Sequence, residues 1–289
     1  MPIVRIIPKL EIKGPNLVKG IHLEGLRVLG KPEHFARYYY EQGADELVYQ
    51  DVVASLYGRN SLLEMIRKTS QEIFIPLTVG GGLRSLEDIR EVLRAGADKV
   101  ALNTAVLREP KLIQKASQMF GSSTILVSIE AIKKHDGSYE AYTDCGREET
   151  GINAIEWAKE VETLGAGEIM LTSIDGEGTG RGYDLELTKT IAQSVSIPVI
   201  ACGGAGNFHH IRSVIKEGFA DAVCLASMLH YNFIKHAQSH KENYSVEGNT
   251  KYLNASTPFT LVEETTLSEI KRHLEECGVH CRFQENSHF

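Results

Sequence analysis

The 289-residue sequence is 42% hydrophobic and 24% charged, the balance of a globular chain long enough to bury a substantial core in one large α/β domain or two smaller ones. Its formal net charge of -7 argues against a broad nucleic-acid or anionic-membrane surface, while leaving room for a local basic pocket that takes small anions. No apolar run of about eighteen residues and no charged-then-apolar leader is present, and the five cysteines include no C-x-x-C pair, so the expectation is a cytoplasmic protein without a membrane span, disulfide framework or structural zinc.

In chain order, strand-like apolar runs fall at residues 5–12, 46–51, 76–79, 99–102, 124–130, 168–172, 198–201 and 222–225. Segments between them, such as 33–42, 86–95, 154–164, 185–194 and 208–217, carry apolar residues at three and four spacing with charges between, as amphipathic helices do. Eight such units predict a (β/α)8 TIM barrel of the α/β class, with its active site at the C-terminal ends of the strands. Residues 135–150 read as a top-face loop after the fifth strand. Residues 231–262, polar and without an apolar period, read as a loop or small subdomain inserted before a last helix at 267–277, and 284–289 as a short tail.

The stretch Ile75-Pro76-Leu77-Thr78-Val79-Gly80-Gly81-Gly82 returns, altered, as Ile197-Pro198-Val199-Ile200-Ala201-Cys202-Gly203-Gly204, an offset of 122. The same offset pairs Gly43-Ala44 with Gly165-Ala166, Glu46 with Glu168 and Gly58-Arg59 with Gly180-Arg181, whereas an offset of 119 pairs Leu10-Glu11 with Ile129-Glu130. One barrel built from two half-barrels, about 1–122 and 123–283, accounts for both offsets.

Strand ends carry the candidate chemistry. Glu11 and Glu130 close the first and fifth strands, and two carboxylates facing one another across a barrel mouth suit general acid and base catalysis. Asp51 and Asp175 are expected at the same mouth, and Asp175 opens a glycine-rich loop through Gly182 that reads as a lid, with no Walker lysine to make it a nucleotide loop. Two anion cradles emerge, Gly81-Gly82 with Asn103-Thr104 and Gly203-Gly204-Ala205-Gly206 with Ala226-Ser227, together implying an elongated ligand with a phosphate at each end. Arg5, Glu46, Lys99 and Glu168 open four strands with opposite signs, as a ring of ion pairs at the barrel floor would. His209-His210 lacks a third ligand, so a surface pair is expected and no metal or cofactor.

These motifs, with Arg5-Ile6-Ile7-Pro8, Val18-Lys19-Gly20, Gly96-Ala97-Asp98-Lys99-Val100 and Gly182-Tyr183-Asp184-Leu185, resemble the cyclase subunit of imidazole glycerol phosphate synthase, of histidine biosynthesis, over residues 1–230 and 263–283. The resemblance implies a lyase that receives ammonia from a glutaminase subunit docked at the floor and passes it up the barrel through the gate Arg5, Glu46, Lys99 and Glu168. There it would meet a small bisphosphate substrate, an aminoimidazole carboxamide ribonucleotide. It implies acid and base roles for Glu11 and Glu130. Ligand contacts are implied at Lys19, Asp51, Gly81, Gly82, Asn103, Thr104, Thr172, Asp175, Gly203, Gly204, Gly206 and Ser227. The family carries aspartates where Glu11 and Glu130 stand and does not usually carry Lys9. Lys9 shares a strand face with Glu11, so it is expected to pair with one or both glutamates and lower their proton affinity. A repurposed paralogue that hands ammonia to a separate sugar amidotransferase is the alternative, and a phosphate-binding scaffold without ammonia traffic a third.

Overall fold

Eight parallel strands close on themselves in this computed structural model, which describes residues 3–53, 63–236 and 261–283. The chain runs β1 (Arg5–Lys13), β2 (Asn16–Ile21), β3 (Glu24–Gly30), α1 (Pro32–Glu41), β4 (Leu47–Asp51), α2 (Leu63–Glu72), β5 (Leu77–Gly80), α3 (Leu86–Ala95), β6 (Lys99–Leu102), α4 (Thr104–Arg108) and α5 (Lys111–Phe120). It continues with β7 (Ile125–Lys133), β8 (Tyr139–Thr143), β9 (Glu148–Asn153), α6 (Ala154–Thr163), β10 (Glu168–Ser173), α7 (Leu185–Ser194), β11 (Val199–Cys202), α8 (Phe208–Lys216), β12 (Ala222–Leu225), α9 (Ser227–His236) and α10 (Leu267–Glu276). Strands β1, β4, β5, β6, β7, β10, β11 and β12 pair in parallel in that order, and β12 pairs back onto β1, so the barrel closes as the sequence predicts.

The two-residue alternation of a strand decides what faces where. Along β1, Ile6, Leu10 and Ile12 join the core between strands and helices, whereas Ile7 joins Val48, Ala101, Leu126, Met170 and Ile200 inside the barrel. The inner face of β1 therefore reads Arg5, Ile7, Lys9, Glu11 from floor to mouth. The helices lay their apolar stripes on the outside, with Phe35, Tyr39 and Trp157 among the buried anchors, each contributing roughly 2–3 kcal/mol of burial.

Aspartates that precede three strands tie the floor together. Asp45, Asp98 and Asp221 accept the N–H groups of Ile6, Leu77 and Val199, each on the start of a neighbouring strand, at 2.7, 2.9 and 2.9 Å. A parallel strand leaves such an N–H without a ladder partner, and the carboxylate supplies one. Helix ends are set locally: Ser85 and Asp88 form a reciprocal capping box on α3, and Thr266 and Glu269 do the same on α10.

Two features differ from the expectation. Residues 135–150 are not a plain loop, because β7 continues past the barrel and folds back as the antiparallel strands β8 and β9. Strand β1 does the same with β2 and β3, so both runs of four units carry a hairpin over the mouth after their first strand. The polar stretch expected from Tyr231 begins later, since α9 carries helix through His236, buried on Tyr231 and Phe233. Residues 237–260, the rest of that stretch, and Gly58-Arg59 lie outside the described residues, as does the tail at 284–289. Among the described residues no helix is long and apolar enough to cross a membrane.

Candidate active site at the barrel mouth

The first cradle opens into a cavity of about 220 Å³ lined by Gln50, Asp51, Gly81, Gly82, Asn103, Thr104, Arg108, Ser128, Glu130 and Cys145. Gly81 and Gly82 both have positive φ, and a Cβ on Gly81 would lie 2.3 Å from the Asp51 carbonyl oxygen, so the backbone there is bare by necessity. Asn103 and Thr104, at the start of α4, line the cavity, and among the described residues the buried Asn103 Oδ1 has no hydrogen-bond partner.

The second cradle is nearly filled. Gly203, Gly204, Ala226 and Ser227 line, with Lys9, Glu177 and Cys202, a cavity of only about 20 Å³. The loop after β10 lies across it: the Gly182 N–H donates to the Gly204 carbonyl at 2.7 Å, and Gly206 donates to His210 Nδ1 at 3.2 Å. A Cβ on Gly204 would sit 1.9 Å from the Gly182 oxygen, so glycine here permits loop and cradle to touch. His210, expected as half of a surface pair, thus occupies a cradle N–H.

Glu11 and Glu130 meet opposite surroundings. Lys19, fully buried on β2, donates to Glu11 Oε2 at 3.0 Å and also to Glu177, and Lys9 Nζ stands 3.6 Å from Glu11 Oε1. Burial works against both ammonium groups. The negative charge around Lys9, from Cys202, Glu11 and Glu177, and around Lys19, from Glu11 and Glu177, overrides it and raises both above the usual lysine value. Glu177 is pushed up by burial, but Lys19 and Lys9 outweigh that and hold it below the ordinary carboxylate range.

The Gly146 N–H lies close enough to favour the charged form of Glu130, and among the described residues the buried Glu130 Oε2 has no hydrogen-bond partner. Burial raises its pKa to about 7, against the lowering influence of Lys9 and the Gly146 N–H. The expected pairing of Lys9 is therefore half right. Lys9 takes Glu11, and Glu130 moves up rather than down, because desolvation exceeds the pull of a cation beyond ion-pair distance.

Other predicted residues fall in different places. Asp175 is exposed and accepts the Lys133 N–H at 3.0 Å, lining neither cavity. The inward carboxylate of that loop is Glu177, two residues on, which the sequence reading passes over because loop glycines do not reveal which side chain turns in. Thr172 is buried on β10. At the floor, Arg5 pairs with Glu46 at 2.6 Å and with Glu168, and Lys99 reaches Glu46 and Glu168 at 3.1 Å each, a closed ring of four charges.

His230, also unforeseen, is buried on α9. One ring nitrogen lies 2.6 Å from Tyr39 Oη and the other 3.1 Å from the Lys9 carbonyl, and burial followed by the charge of Lys19 pushes its pKa down to about 3. The neutral ring must donate to that carbonyl through Nε2, which fixes the backbone of Lys9.

Comparison with known proteins agrees with this geometry. A family model described as "Histidine biosynthesis protein" matches residues 5–235. A protein of Legionella pneumophila named imidazole glycerol phosphate synthase subunit HisF is 57% identical over 203 residues, covering 70% of this chain and 96% of its own. Proteins of the same name from Trichormus variabilis and Alkaliphilus metalliredigens are 48% identical over 237 and 228 residues, covering 81% and 79% of this chain and 92% and 90% of theirs.

Proposed function

The chain belongs to the histidine biosynthesis protein family, and from that premise we propose that it is a cyclase-type subunit of imidazole glycerol phosphate synthase. Its reaction would join ammonia to a bisphosphate aminoimidazole carboxamide ribonucleotide, giving imidazole glycerol phosphate, an aminoimidazole carboxamide ribotide and water. The observation that carries this reading is the unequal pair of carboxylates: Glu130 holds a proton near neutrality beside an open anion cradle, while Glu11 is ion-paired to two lysines. A carboxyl raised toward neutrality by burial is what a proton-transfer step near pH 7 requires. Glu130 acts as the group that gives and takes a proton, and Glu11 as a fixed negative charge that orients substrate nitrogen.

Gly81, Gly82, Asn103 and Thr104 take one phosphate, and Gly203, Gly204, Gly206 and Ser227 the other once the loop from Asp175 to Gly182 lifts, with Asp51 lining the ligand site beside the first cradle. A glutaminase subunit docks at the floor, where the ring of Arg5, Glu46, Lys99 and Glu168 admits ammonia by parting one ion pair. No cofactor or metal is required by this chemistry.

A second reading is favoured by Lys9, which fills the second cradle's side of the barrel together with Glu177. In it the chain conducts ammonia from a glutaminase to a separate sugar amidotransferase, with the floor gate retained and little cyclase activity. Purified protein given ammonium and the bisphosphate ribonucleotide separates the two. Formation of imidazole glycerol phosphate supports the cyclase. No turnover, with some appearing in the Glu11→Asp, Glu130→Asp double variant, supports the conductor.

A further inference from the structure

Above Glu130, the turn between β8 and β9 holds three successive residues with positive φ: Asp144 at 51°, Cys145 at 59° and Gly146 at 74°. Two of them carry side chains, for which the left-handed region costs roughly 1–2 kcal/mol each, so the turn persists only if its surroundings hold it. The hold is visible. Arg108 Nη2 donates to the buried Asp144 Oδ2 at 2.8 Å, and the Asp144 N–H donates to Thr104 Oγ1 at 3.1 Å. Cys145 Sγ donates to the Val52 carbonyl at 3.0 Å. The turn ends with the Gly146 N–H beside Glu130, and Thr104, Arg108, Cys145 and Glu130 line one cavity.

We propose that Arg108 and Asp144 are positioning residues, a clasp between α4 and the β8–β9 turn that aims the Gly146 N–H at Glu130 and so sets its readiness to exchange a proton. The proposal rests on the reading of Glu130 as the proton-transfer carboxyl. The other groups acting on Glu130 are Lys9 and Glu11 from β1 and Glu177 from the loop after β10, with Asp51 and Arg108 across the cavity. Of the groups that act on Glu130, the Gly146 N–H is the one the turn carries, so a change in the turn alters it. Because the clasp is anchored on Thr104, it also joins the first cradle to Glu130, and an anion drawing on Thr104 would be felt there.

Carboxyl 13C resonances of the glutamate-labelled full chain test this, the Glu130 signal being assigned by its loss in Glu130→Gln. Removing a donor from a carboxylate disfavours its charged form, so Arg108→Leu and Asp144→Ala should each raise the Glu130 midpoint by about one unit. Asp144→Asn, which keeps an acceptor for Arg108, should restore most of the original value. Glu148→Gln removes the outer partner of Arg108, at 3.4 Å, and should leave the midpoint in place. Where turnover is measured, the same shift should appear in the pH profile of kcat/KM. An unmoved midpoint in folded Arg108→Leu overturns the proposal, even if thermal stability falls; should Asp144→Ala fail to fold, Arg108→Leu, altered at a largely exposed side chain, decides alone. The titration needs no turnover, so failure of the cyclase assay would count against the functional reading and not against the clasp.

Discussion

Glu11 and Glu130 occupy matching places on β1 and β7, and the two sides of the mouth differ in what surrounds them. On the β1 side, Lys9 lies two residues below the carboxylate, and Lys19 follows Val18, the residue paired with Glu11. On the β7 side, the residue two below is Ser128, and Thr143 follows Tyr142, the residue paired with Glu130. Two ammonium groups on one side are two hydroxyl residues on the other. The same acid on the same scaffold thus becomes an ion-paired anion in one place and a group titrating near pH 7 in the other. The lesson is that the same acid meets different neighbours on the two strands, and that burial, against the pull of Lys9, sets the proton affinity of Glu130.

Breaking the β7 side should have the largest effect. Glu130→Gln keeps the shape of the carboxyl and removes its proton exchange, so kcat of the ammonia-dependent reaction should fall about 10²- to 10⁴-fold with KM little changed. Breaking the β1 side should cost stability. Lys19→Met strands Glu11 and Glu177 without their shared cation, and denaturant unfolding should show a loss of roughly 3–5 kcal/mol at neutral pH.

A third test sharpens the contrast through pH. Glu130 has a folded pKa of about 7, above its unfolded value of 4.5, so its contribution is fully present below pH 4.5 and lost as pH rises through 7. The protein should therefore lose on the order of 3 kcal/mol across that window relative to Glu130→Gln, measured by unfolding at several pH values. His230 runs the other way. Its folded pKa of about 3 lies below the ordinary histidine value of 6.5, so stability falls as pH drops below 6.5, a loss that His230→Gln should lessen. The smallest effect is expected from Lys9→Met, which withdraws a cation that lowers the Glu130 value and should raise its midpoint by about a unit or less.

The barrel was legible because eight short apolar runs alternated with amphipathic segments, a pattern that parallel strands buried on both faces impose. The hairpins were not, for distinct reasons. The turn between β2 and β3 places His22 and Leu23 at positive φ, so no glycine or asparagine marks it. The turn between β7 and β8 does carry Asp136-Gly137, with Gly137 at φ 85°, and that pair between two strand-like runs was the available signal. Of the site, the glycine cradles, the floor ring and the Glu11–Lys9 pairing could be read from spacing alone. Glu177, Ser128, Thr143 and the Arg108–Asp144 contact could not, since each depends on how a hairpin or loop is laid over the mouth. We infer that the matched hairpins, like the offsets in sequence, stem from duplication of a half-barrel.

Glu130 thus keeps its proton to near neutrality while its counterpart is tied to lysines. An infrared pH titration of the full chain, taken as wild type minus Glu130→Gln, measures it most directly. A protonated-carboxyl band that disappears with a midpoint near pH 7 is the expected result. A band already gone by about pH 5, the ordinary glutamate range, would contradict the account.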